Sequence, residues 1–184
     1  MNTSLSTVSW LLVRLTVAYV FLYAAWQNTK DATAREWTIG QTALLLDFMP
    51  AAQRRQASAI CALAGMIMMY GGGISILIGL EGRIGACALI IFSAMGMAIH
   101  RSNRRLALQS AATIGLDAPN VKDKAEALGW SAYGAHLAAG LKNISLIGIN
   151  ALFLFYVGDP AGGPWARPWA VSDVVGVWLG HWSR

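Results

Sequence analysis

Ala57-Ser-Ala-Ile-Cys-Ala-Leu-Ala-Gly-Met-Ile-Met-Met-Tyr-Gly-Gly-Gly-Ile-Ser-Ile-Leu-Ile-Gly-Leu80 and Ile84-Gly-Ala-Cys-Ala-Leu-Ile-Ile-Phe-Ser-Ala-Met-Gly-Met-Ala-Ile99 stand back to back, with only Glu81-Gly82-Arg83 between them. A water-soluble fold could hardly bury both runs. A membrane crossing needs about 20 mostly apolar residues; the first run has that length, and the second reaches it with Gly82 and His100. The stretch predicts a helical hairpin in a membrane. Lipid offers no partner for a free backbone N–H or C=O, and the runs are too long and too unalternating for barrel strands.

Composition extends the reading to the whole chain. Of 184 residues, 56% are hydrophobic and only 12% charged, with a mean hydropathy of +0.49, far from an ordinary soluble mixture. The fold class expected is all-α, a four-transmembrane-helix bundle with interfacial amphipathic segments. Its domain is 1–160, with spans at about 8–28, 57–80, 83–100 and 141–157, followed by a tail at 161–184. No basic n-region precedes the first span and no small-residue cleavage site follows it, which argues against a removed signal peptide. Gly158-Asp159-Pro160 cannot continue the fourth helix. The formal charge of +5 sits beside the spans rather than along one polar face, so no nucleic-acid partner is expected.

Lys and Arg set the orientation. Lys30, Arg35, Arg54, Arg55, Arg101, Arg104, Arg105, Lys122, Lys124 and Lys142 fall on one side of the four spans, against Arg14, Arg83, Arg167 and Arg184 on the other. Positive residues concentrate on the cytoplasmic side, which puts both termini outside, in the periplasm of a bacterium whose inner membrane holds the chain.

The connections carry their own signals. Trp37 to Met49 is too short and polar to cross and too apolar to float free, and is expected to lie at the interface. The segment from Arg101 to Gly140, with Gly115, Pro119 and the charged helix-like run Val121 to Leu128, reads as a solvated excursion or a partner-binding surface. In the tail, Val171, Val174, Val175, Trp178, Leu179 and Trp182 draw one apolar face on a C-terminal Trp-rich helix, with Ser172 or Asp173 placed to cap it. Trp165, Trp169, Trp178 and Trp182 there suit a membrane anchor or a subunit interface.

Small residues mark the packing. Gly65, Gly72, Ser75 and Gly79 form a seam on span two, and Gly85, Ala88, Ser93 and Gly96 offer the opposing surface of span three, because small side chains let membrane helices approach closely. Cys61 and Cys87 lie inside spans, with no CxxC or zinc spacing, and read as small buried residues; no metal site is expected. Methionines 66, 68, 69, 95 and 97 read as adaptable core filling.

Ionisable groups inside a membrane are functional candidates, and here they are few. Arg14 either snorkels outward or pairs with Glu81 or Asp159. Asn150, in the middle of span four, reads as a helix-to-helix hydrogen bond. His100 and His136 are the only histidines on one side, and they could meet beside Arg101, Arg104 and Arg105. A quinone headgroup or an anionic lipid could use that cluster through its cationic donors. There is no Ser-His-Asp order, no HExxH and no pair of carboxylates within a span, so self-contained catalysis is not indicated.

Three segments resemble the DoxX family of small four-span bacterial membrane proteins: Arg14-Leu15 with Phe21-Leu22; Ala62-Leu-Ala-Gly65 with Gly71-Gly-Gly73 and Leu77-Ile-Gly-Leu-Glu-Gly-Arg83-Ile-Gly; and Leu141-Lys-Asn-Ile-Ser-Leu-Ile-Gly148. The resemblance implies a membrane protein, attached in some relatives to quinone-linked oxidation of sulfur compounds. Met68 stands where many members carry an acidic residue, and the long third connection and Trp-rich tail are additions to the family core. The function expected is a non-catalytic accessory or assembly subunit of a bacterial inner-membrane redox complex, respiratory or photosynthetic, whose partners are membrane lipids and other membrane-protein subunits. A quinone-linked oxidoreductase membrane subunit comes second and a small transporter or channel third. Bound lipid or quinone is the cofactor chemistry to look for.

Overall fold

A computed structural model describes residues 3–79 and 82–155. The elements run α1 (Thr3–Lys30), α2 (Ala32–Ala43), a 3-10 turn at Leu44–Leu46, α3 (Ala51–Ile78), α4 (Gly82–Asp117), a second 3-10 turn at Pro119–Val121 and α5 (Lys122–Phe155). The fold is an all-α four-helix bundle. α1, α3, α4 and α5 are each long and apolar enough to cross a membrane, and the described residues hold no strand.

The helix boundaries follow from local chemistry. Asp31 caps α2, its carboxylate accepting from the Thr33 N–H at 2.8 Å, which starts that helix at Ala32, ahead of the expected interfacial stretch at Trp37. Pro50 precedes α3, where the missing N–H of a proline costs nothing. α3 ends at Gly79, whose φ of +76° is a backbone state that glycine alone adopts without strain.

The third connection is the main correction. Spans three and four do not stop at His100 and Leu141 with a loop between them; α4 continues to Asp117 and α5 begins at Lys122. Falling hydropathy after Ile99 reads as the end of a span, but it is not a helix stop. The residues beyond it, Leu106-Ala-Leu108, Ala111-Ala112, Ala125 and Ala127, are strong helix formers. The actual stop is Ala118-Pro119, since a residue before proline is pushed out of the α region. At 1.5 Å per residue, the 36 residues of α4 reach about 54 Å and the 34 of α5 about 51 Å.

The core sits where the four helices converge. Val17, Phe21 and Ala25 of α1 meet Met69 and Ile76 of α3, Ala86 and Leu89 of α4, and Leu146 and Phe153 of α5. Phe21 and Phe92 pack edge to face at 6.1 Å, and Trp10 lies against Phe153 at 4.7 Å. α3 and α4 approach through small residues: a Cβ on Gly72 would lie 2.7 Å from Leu89 Cγ, and one on Gly85 would lie 2.7 Å from Ser75. A Cβ on Gly65 would lie 3.3 Å from the Phe92 ring. Gly96 faces away from this contact, toward Asn143 of α5. Cys87 is exposed on the outer face of α4 rather than buried, and Cys61 is half-buried.

Candidate functional site

Depth along α4 organises the polar residues. Counting from Gly82 at 1.5 Å per residue, Ser93 lies about 17 Å in and His100 about 27 Å in, against a hydrocarbon core about 30 Å thick. With Gly82 set at one border of the bilayer, His100 falls at the other, and the rest of α4 from Arg101 extends beyond it. The antiparallel register of α4 and α5 brings His136 to the same border: the two Nδ1 atoms are 3.2 Å apart and the rings 5.4 Å apart, tilted by 38°. In such a contact one imidazole donates its N–H and the other presents a bare nitrogen.

The basic residues around the pair are not equivalent. Arg104 lies over the Tyr133 ring at 5.6 Å, a cation–π contact, and Tyr133 in turn meets Trp130 edge to face at 5.6 Å. Arg101 and Arg105 are exposed on α4, one turn apart on a shared face. Asn103 is buried and donates to Gln41 of α2, tying the short helix to the long one. The arginines of the first connection serve the backbone instead. Arg35 donates to Thr29 O at 2.6 Å, covering the end of α1. Arg54 donates to Asp47 O at 2.7 Å and Met49 O at 2.9 Å, and Arg55 pairs with Glu36 at 2.9 Å. The cationic donors left around the histidines are Arg101 and Arg105, with Lys142 exposed on α5.

Arg14 does not snorkel. It is only 2% exposed, and its guanidinium lies against Gly79, where a Cβ would come 2.5 Å from its terminal nitrogen. Glu81 and Asp159, the acids expected near it, lie outside the described residues, as do Trp165, Trp169, Trp178 and Trp182 of the tail helix. Asn150 is fully buried, but its amide donates to Leu146 O of its own helix at 2.8 Å instead of joining two helices. Between α3 and α4 a cleft of about 510 Å³, lined by Ile67, Gly71, Ser75, Ile78, Ile84 and Ala88, has the apolar chemistry of a lipid or isoprenoid chain. No group of three or more metal-ligating side chains occurs among the described residues.

Two features escape a residue-by-residue reading. One is the seven-residue repeat His136, Asn143, Asn150 on the inner face of α5, two helical turns per step, which a search for polar heptads would find. The other is the reach of the α4–α5 hairpin past the histidines, where Leu116 is 81%, Leu128 71% and Trp130 63% exposed. Comparison with protein-family models, curated proteins and solved structures gives no match to this chain.

Proposed function

We propose that the chain is a non-catalytic accessory subunit of a bacterial inner-membrane redox complex, held to its partner by the α4–α5 hairpin. The observation that carries this reading is the length of α4 and α5. Both exceed a bilayer core by about 20 Å, and the part that would extend past that core exposes Ile114, Leu116, Leu128 and Trp130. Its helices meet through Ala107, Ala111 and Gly129, small residues that hold the pair close yet bury little apolar surface. Large apolar side chains outside a membrane mark an interaction site, and an exposed Trp is the kind of anchor that dominates interfaces. The DoxX resemblance supports the four-span core as scaffold and leaves the hairpin as an addition suited to assembly. The test is a Leu128→Ser/Trp130→Ser chain, purified by affinity tag from gently solubilised native membranes. Partner recovery should fall at least tenfold while membrane insertion is unchanged; recovery equal to the native chain would refute the reading.

A second reading, a quinone-linked oxidoreductase membrane subunit, is favoured by the 3.2 Å His100–His136 contact at the bilayer border beside Arg101 and Arg105. A quinone headgroup there would take hydrogen bonds from imidazole and guanidinium, with its chain in lipid. This reading requires quinone to co-purify with the chain and to be lost in His100→Ala and His136→Ala; retention in both variants removes it.

A further inference from the structure

The buried face shared by α4 and α5 is unusually polar for a membrane bundle. The register is fixed by close approaches: Gly96 meets Asn143, His100 meets Gly140 and, farther along, Ala111 meets Gly129. Read outward from Gly96, it brings Ser93 of α4 and Asn150 of α5 within about one to two turns of each other along the axis, near half the bilayer depth. Both side chains are fully buried. Neither Ser93 Oγ nor Asn150 Oδ1 has a hydrogen-bond partner among the described residues, and the Asn150 amide is occupied on its other side by Leu146 O. A hydroxyl and an amide carbonyl left without partners in a bundle interior are costly, and most such groups in proteins are satisfied by another group or by ordered water.

We infer that the α4–α5 face binds water at mid-membrane through Ser93 Oγ and Asn150 Oδ1. The α4–α5 contact is then hydrated locally at that level, and closes again where the Asn143 amide packs on Gly96. The chemistry selects water over other occupants. A serine hydroxyl can donate to it or accept from it, the asparagine carbonyl accepts from it, and neither group carries a charge that would call for a counter-ion. Toward the end of the bundle away from the histidines the water site is closed by apolar core, with Leu89 and Phe153 buried. Toward the histidines the next buried positions on α5 are Leu146 and then Asn143, whose amide packs against Gly96 of α4. The inference is independent of whether the hairpin docks on a partner.

X-ray radiolytic footprinting of the full chain in lipid nanodiscs, read by mass spectrometry, tests it, because hydroxyl radicals form where water is held. Each residue is normalised to its own rate in the denatured chain. Leu89 and Leu146, beside the water site, should label at least threefold faster than Val17 and Ile76 of α1 and α3; Leu89, no more exposed than either of these, carries the comparison, since Leu146 is 9% exposed. Ser93→Ala with Asn150→Leu should abolish that excess. Ser93→Ala alone should halve it, and Ser93→Thr, which keeps the hydroxyl, should restore it. Equal labelling of both pairs in the native chain overturns the inference, and so does an excess that survives the Ser93→Ala change undiminished.

Discussion

Gly79 carries two constraints at one position. Its φ of +76° costs an L residue of order 1–2 kcal/mol, and the Arg14 guanidinium fills the space a methyl would need. Gly79→Ala should therefore destabilise the bundle by about 2–4 kcal/mol, adding a displaced buried cation to the backbone term, measured as a lowered midpoint of denaturant unfolding in mixed micelles. Gly148, where nothing lies within 4 Å of the added carbon, is the matched control: Gly148→Ala should be neutral or stabilising by up to about 1 kcal/mol. A second contrast holds among the arginines. Arg54 covers the carbonyls of Asp47 and Met49, so Arg54→Ala should cost about 1–3 kcal/mol; Arg105→Ala, exposed, should change stability by less than about 0.5 kcal/mol.

At the scale of elements, the hydropathy of Ala57–Ile99 was enough to read α3 and α4 as membrane helices, because twenty apolar residues have few other destinations. The extent of α4 was not legible in the same way. Hydropathy reports where lipid stops, whereas helix propensity and the Ala118-Pro119 break report where the helix stops, and in this chain the two points are about 17 residues apart, or about 25 Å. The His100–His136 meeting was legible as a same-side pair, but its closeness depends on the register that Gly96 and Gly140 permit. The polar heptad of α5 was not legible from Asn150 alone, since an asparagine that bonds its own helix looks the same in sequence as one that bonds a neighbour. If Ala111 and Gly129 hold the outer hairpin, Gly129→Leu should spread its helices, since a Cβ there would already meet Ala111 at 2.5 Å. Paired spin labels at positions 108 and 132 should then separate by several ångströms, while labels on the outer half of the membrane bundle stay in place.

For the whole molecule, an even number of crossings puts the start of α1 and the end of α5 on the same side, with the α1–α3 connection and the hairpin tip together on the other. From the distribution of Lys and Arg we propose that this second side is the cytoplasmic one. In a chain carrying Cys61→Ala and Cys87→Ala, a cysteine at position 120 should label in intact cells only after permeabilisation, and labelling before it would invert the topology. The two ends of the bundle also differ in construction. The outer end closes on Arg14 and Gly79, while the inner end is wrapped by α2 and bound to α4 through Gln41 and Asn103.

Because α4 and α5 run unbroken through the bilayer border, whatever tilts them in lipid is carried outward without a hinge. A rotation of 10° about the level of His100 would sweep the hairpin tip, about 25 Å away, through about 4 Å. The hairpin thus has the geometry of a lever, in which a small change in the tilt or packing of the membrane helices becomes a displacement of several ångströms at its tip.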